Sequence, residues 1–236
     1  VDSTVTCAQV IKASSNTAVI SATSTTGIVI APGPATTQPG AQNCTVSVQP
    51  VLNQSGSATV TLTIIDSGGL SAQQSFDVTV TPVNDPPVFG AIADQTILED
   101  GSGSVSFTIM DVESAMACTS VTSASNNVAV IPVSGIAVTG GTSTPNNTVN
   151  CTVTVTPAAN QNGGPVSITL TASDGTVEVP KSFNVTVTAV NDPPVLVTAG
   201  SQSYETNVIK NLSVELGSYS DIDTVQASLV YVVTTP

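Results

Sequence analysis

In 236 residues the chain carries three lysines, no arginine, no histidine and sixteen acidic residues, a formal charge of −13. That balance repels phosphate backbones and anionic surfaces, which argues against nucleic acid as a partner; no run reaches the ~18 apolar residues of a membrane helix, so this segment is not expected to insert directly into a membrane. Apolar residues make up 40% but aromatics only 3%, so Val, Ile, Leu and Ala must fill any core, and the abundance of Val, Thr and Ser favours strands.

From its start the chain repeats itself. Cys7-Ala8-Gln9-Val10 through Ala18-Val19-Ile20 match Cys118-Thr119-Ser120-Val121 through Ala129-Val130-Ile131 at an offset of 111 residues. Asn43-Cys44-Thr45-Val46-Ser47-Val48 match Asn150-Cys151-Thr152-Val153-Thr154-Val155 at an offset of 107. Self-similarity of this period is the signature of a tandem array. The run Ser75-Phe76-Asp77-Val78-Thr79-Val80 alternates with the period of two that a half-buried strand requires. It leads into Val-Asn-Asp-Pro-Pro-Val at 83–88, and the same six residues return at 190–195 after the matching strand at 182–187. Paired prolines lack amide donors and fix φ, and they hold the residue before them extended, so each copy reads as a stiff domain joint.

These joints give an incomplete β-sandwich repeat at 1–83, a complete one at 84–190 and the N-terminal part of a third at 191–236. Val1-Asp2-Ser3 falls on Val112-Glu113-Ser114, so the first repeat is expected to lack its opening strands. Asp221-Ile222-Asp223-Thr224 corresponds to Asp111-Val112-Glu113-Ser114, which places the end of the chain inside a third repeat. Within the complete repeat, strands are expected at 104–109, 118–122, 128–131, 135–138, 149–155, 166–171 and 177–187, separated by turn-rich segments such as Thr139-Gly140-Gly141-Thr142. About seven short strands in a repeat of this size is the rhythm of an immunoglobulin-like sandwich, although the chain has no Trp to form the Cys-Trp-Cys pattern of antibody domains. The fold class expected is all-β: tandem immunoglobulin-like sandwiches joined end to end.

The four cysteines fall as one pair per repeat at matched positions, Cys7 with Cys44 and Cys118 with Cys151. Two intradomain disulfides are the reading, with buried free thiols as the alternative. Zinc is disfavoured by the lack of any C-x-x-C pair and of histidine. Disulfides imply an oxidising, extracytoplasmic compartment, hence an extracellular or cell-surface location.

Ala172-Ser173-Asp174-Gly175, followed by Ser182-Phe183, alternating valines and Val190-Asn191-Asp192-Pro193-Pro194-Val195, resembles the C-terminal part of a cadherin repeat. Glu99-Asp100-Gly101 and Asp111-Val112-Glu113 are similar to that family's early glutamate and D-x-D pair. The front of the third repeat, with Asp221-Ile222-Asp223, is similar to the chondroitin-sulfate-proteoglycan-type repeat. Such modules occur in tandem in large bacterial surface adhesins. The resemblance implies calcium at the joints, where carboxylates from two domains and the linker supply the six to eight oxygens the ion takes. Carried over by position, the first joint would use Asn84 and Asp85 with Asp111, Glu113 and Asp174. The second would use Glu99, Asn191 and Asp192 with Asp221 and Asp223. The acidic residue that should precede each linker asparagine by two places is missing, which favours one ion per joint or none. In the alternative these acids are turn formers and solvated charges.

No enzyme is expected. Asp66-Ser67-Gly68-Gly69 echoes a serine-protease nucleophile, but no histidine exists to act as base, and the segment aligns with the turn at Ser173-Asp174-Gly175. The function expected is a structural stalk that spaces a distal module from a cell, its partners being neighbouring repeats of the same long chain. The alternatives are a filament subunit, a homo-oligomer assembled by strand complementation, and a repeat that itself binds a partner surface or glycan.

Overall fold

The computed structural model describes residues 5–23, 25–34, 36, 37, 41–196 and 219–223. The chain divides into two compact units, Val1–Asp85 and Pro86–Pro236.

The first unit opens on a single 3-10 turn, Cys7–Gln9, followed by β1 (Ile11–Ser14), β2 (Ile28–Pro32), β3 (Cys44–Val48), β4 (Gly56–Ile65) and β5 (Ser71–Val80). β1, β4 and β5 form one antiparallel sheet in that order; β2 and β3 form another. Five buried residues, Val19, Ile20, Ile28, Ala58 and Val60, make its core. Asp66 closes the turn between β4 and β5 by accepting the amides of Gly68 and Leu70 on Oδ1, both at 2.8 Å, so Asp66-Ser67-Gly68-Gly69 is a hairpin tip.

The second unit supplies β6 (Val88–Phe89), β7 (Gln95–Leu98), β8 (Gly103–Met110), β9 (Thr122–Ser125), β10 (Ile136–Gly140), β11 (Val149–Val155), β12 (Gly163–Ser173) and β13 (Glu178–Thr188). One sheet runs β10-β11-β8-β6 and the other β7-β13-β12-β9. The chain changes sheets between β6 and β7, and β7 lies parallel to β13 while the remaining pairs are antiparallel. Alternation decides which side chains go in: Val149, Cys151, Val153 and Val155 of β11 are buried, as are Val166, Ile168, Leu170 and Ala172 of β12. Phe107 and Ile109 of β8 join them in one cluster shared by both sheets. Each large aliphatic side chain buried this way is worth about 1.5–3 kcal/mol, which is how a core nearly free of aromatics is sustained. This is an immunoglobulin-like β-sandwich. Beyond it, β14 (Val195–Leu196) pairs antiparallel with β15 (Tyr219–Ser220).

Both disulfides are formed, Cys7–Cys44 and Cys118–Cys151, with Cα atoms 5.6 and 5.5 Å apart. They close loops of 37 and 33 residues, a constraint worth about 2–4 kcal/mol each. Gly140 makes room for the second: at φ +144°, a Cβ there would stand 2.5 Å from the Cys118 sulfur.

Two strand expectations are corrected. Residues 118–120 form a 3-10 turn, closed by the Val121 amide on the Cys118 carbonyl, because Cys118 must turn inward to reach Cys151; pairing begins at Thr122. Residues 128–131 are a turn, not a strand. The Asn127 side chain accepts the amides of Ala129 and Val130, and its carbonyl accepts that of Ile131, so Val130 and Ile131 plug the core from a loop. β6 and β7 were not expected, since two and four residues are too short to display a period.

Candidate functional site

The second joint lies within the second unit, and its geometry follows from strand pairing. β14 begins at the end of the linker, and its partner β15 ends where Asp221-Ile222-Asp223 begins. Val195 pairs with Ser220 as Val88 pairs with Met110, so each proline-locked linker feeds a two-residue strand lying beside an acidic pair. That pairing brings Asp223 to the linker, where its Oδ2 accepts the Asp192 amide at 2.5 Å. Asp221 in turn accepts the Asp223 amide on Oδ1 at 3.0 Å.

From the other side, Glu99 follows β7 at its end against β13. It is 2% exposed, its amide donates to the Thr188 carbonyl, and its Oε1 accepts the Val190 amide at 2.6 Å. Its Oε2 accepts from the Asn162 side-chain amide at 3.0 Å, so the buried carboxylate is served on both oxygens. Two linker amides, Val190 and Asp192, are thus held by carboxylates contributed from opposite sides of the joint. Asn191 donates its side-chain amide to the Asp192 carbonyl at 3.1 Å, as Asn84 does to the Asp85 carbonyl at 3.4 Å.

Asp192 itself is half-buried, and its Oδ2 is covered with no hydrogen-bond donor. Burial raises its carboxyl above the usual carboxylate range, reinforced by the negative charges of Asp100, Asp223, Glu99 and Asp221. Asp100 was not among the residues the sequence placed at this joint. It sits at φ +61° beside Glu99 and accepts the Asn160 amide at 2.9 Å; the only signal for it was its adjacency to Glu99.

The first-joint residues divide between the two units. Asn84 and Asp85 close the first, and Asp111, Glu113 and Asp174 belong to the second. Asp111 is 1% exposed; its Oδ1 accepts the amides of Glu113 and Ser114 at 3.0 and 2.6 Å, and its covered Oδ2 has no donor. Glu113 is exposed. Asp174 accepts the amides of Thr176 and Val177 at 2.6 and 2.7 Å, the hairpin-tip role that Asp66 plays in the first unit.

The orphan oxygens of Asp111 and Asp192 and the acidic field around Asp192 fit a cation in their donor chemistry. Among the described residues, however, no group of three or more acidic or cysteine side chains is already gathered to hold one. As they stand, Glu99 Oε1 and Asp223 Oδ2 are spent on linker amides.

No protein-family profile and no curated protein matches the chain. Among solved structures it is similar to an I-band fragment of titin, I67–I69, at 15% identity over 65% of this chain and 48% of that one, with a TM-score of 0.36. Domains 4–9 of the surface layer protein SbsC match at 18% identity over 85% of this chain and 26% of that one, TM-score 0.35. A family 123 glycoside hydrolase from Clostridium perfringens matches at 11% identity over 43% and 24%, TM-score 0.35. Likenesses of this strength carry no functional argument.

Proposed function

We propose that the chain is a load-spacing segment of an extracellular stalk, in which disulfide-bonded immunoglobulin-like sandwiches follow one another through proline-locked linkers. The observation that carries this reading is the second joint. Its linker amides are clamped by Glu99 from one side and Asp223 from the other, so the connection is held by charge-assisted bonds as well as by proline. A flexible tether needs no such clamp.

In this reading calcium is the joint's ligand. The ion would take the orphan Oδ2 of Asp192 with oxygens drawn from Asp221, Asp223, Asp100 and the linker, and would neutralise the acidic field there. Its role is mechanical: bound, it ties the linker to the repeat that follows. The segment performs no catalysis in this account, and its partners are neighbouring repeats at a cell surface. The two disulfides support an oxidising compartment for it.

Small-angle scattering separates the clamp from the ion. Asp223→Ala removes the acceptor of the Asp192 amide, and is expected to broaden the distance distribution in calcium and in chelator alike. Asp192→Ala keeps that amide bond, and is expected to alter only the response to calcium. Identical curves for wild type and Asp223→Ala in both media would sink the clamped-joint reading.

A further inference from the structure

Both linkers contain an Asp-Pro peptide bond, Asp85–Pro86 and Asp192–Pro193, in the same six-residue setting. Such a bond is open to attack by its own side chain. A carboxyl oxygen of the aspartate reaches the peptide carbonyl carbon by closing a five-membered ring, and the proline nitrogen, a tertiary amide with no N–H, is a more basic leaving group than an ordinary peptide nitrogen. What the fold adds differs between the copies.

At Asp192 three features converge on that bond. Its carbonyl accepts the side-chain amide of Asn191 at 3.1 Å, a donor placed where negative charge develops on the oxygen during attack. Its backbone is pinned on both sides, by the Asp223 carboxylate on the Asp192 amide and by Pro193, which holds the residue before it extended. Its Oδ2 is covered and has no donor, so no hydrogen bond has to break for that oxygen to turn onto the carbonyl. With the backbone fixed, χ1 and χ2 of one side chain separate nucleophile from carbonyl, the condition under which an intramolecular reaction gains most. Asp111 also has a covered oxygen without a donor, but Val112 follows it and the bond is a secondary amide. Asp85 precedes proline, but its carbonyl bond from Asn84 is longer, at 3.4 Å, and neither of its oxygens is both covered and without a donor.

We infer that the second joint is a slow self-cleaving bond, cut between Asp192 and Pro193 by the Asp192 carboxyl. Oδ2 bonds to the Asp192 carbonyl carbon, the carbon–nitrogen bond to Pro193 breaks, and the proline nitrogen takes a proton from water. The hydroxide left behind opens the cyclic anhydride formed on Asp192. One water is consumed, and the products are a free carboxyl end at Asp192 and a free amino end at Pro193. The complete sandwich lies on one side of the cut and the β14–β15 pair on the other, so the joint doubles as a release point between them. This is a single event in each chain, and it depends neither on the stalk reading nor on a bound cation.

Incubating the purified chain in mildly acidic buffer with chelator tests this, with intact mass reading fragments 1–192 and 193–236 against fragments 1–85 and 86–236. Because the two linkers share their letters, Asp85–Pro86 is the sequence-matched control. In the folded chain the cut after Asp192 is expected to be at least about tenfold faster than the cut after Asp85, and in concentrated guanidinium chloride the two are expected to be equal. Asn191→Ala is expected to slow the cut after Asp192 by about threefold or more, less than the loss from a buried oxyanion hole because Asn191 is exposed. Asp192→Glu, which keeps the charge but enlarges the ring, should abolish it. No cut after Asp192, equal rates at the two linkers in the folded chain, or the same excess in guanidinium chloride overturns the inference. So does wild-type cleavage in either Asn191→Ala or Asp192→Glu, since the bond is then cut without the groups assigned to it.

Discussion

Asp192 does two things with two groups. Its amide is bound to Asp223, while its carboxyl faces an acidic neighbourhood with one oxygen unserved. Burial first, then Asp100, Asp223, Glu99 and Asp221, raise that carboxyl above its ordinary value of 3.8. Between that value and the raised one the folded chain holds a proton that the unfolded chain has released, so stability falls as pH rises through this window. Without a cation, the wild-type midpoint is therefore expected to drop relative to Asp192→Asn between pH 4 and neutrality, as read by thermal unfolding in chelator. Parallel curves for the two proteins would show that the field does not act on folding. That Asp192, Asp221 and Asp223 belong to one joint was legible, because the chain spells the linker twice. That Glu99 and Asp223 serve amides was not, since a carboxylate looks the same in sequence whether it accepts from backbone or binds an ion. Asp174 shows the same ambiguity, its Oδ1 accepting two hairpin-tip amides.

At the scale of elements, matched strands differ in what surrounds them. Phe76 on β5 and Phe183 on β13 occupy the same place in the repeat, yet they are 38% and 3% exposed. The difference comes from β7 and β8, which cover the second unit and have no counterpart among the described residues of the first. Phe183→Ala should cost about 3–5 kcal/mol, the range for truncating a buried aromatic, while Phe76→Ala should cost less than half as much. Chemical denaturation of the two variants reads both numbers; equal losses would mean the first unit is as well covered as the second. Long strands such as β11 and β13 were readable from alternation. The segment at 128–131 was not, because Val128 to Ile131 carries the right letters while the Asn127 side chain draws the local amides into a turn. Cys118 was misplaced on a strand for a related reason: its direction is set by a disulfide partner 33 residues away, and local pattern cannot show that.

For the whole molecule, the repeat was legible from the duplicated linker, and the disulfides from the duplicated cysteines. Register between the linker's short strand and the acidic pair was not, because β14 and β15 contribute only two residues each. A stalk of this kind depends on joints that are built rather than merely spaced. The most direct measurement is thermal unfolding of the chain in excess calcium and in excess chelator, beside Asp192→Ala. A ligand confined to the folded state adds about 2.7 kcal/mol at a hundred times its dissociation constant. Calcium is predicted to raise the wild-type midpoint, with the gain lost in Asp192→Ala. Coincident wild-type curves in the two media would contradict the calcium-tied joint and leave its stiffness to proline and the two carboxylate clamps.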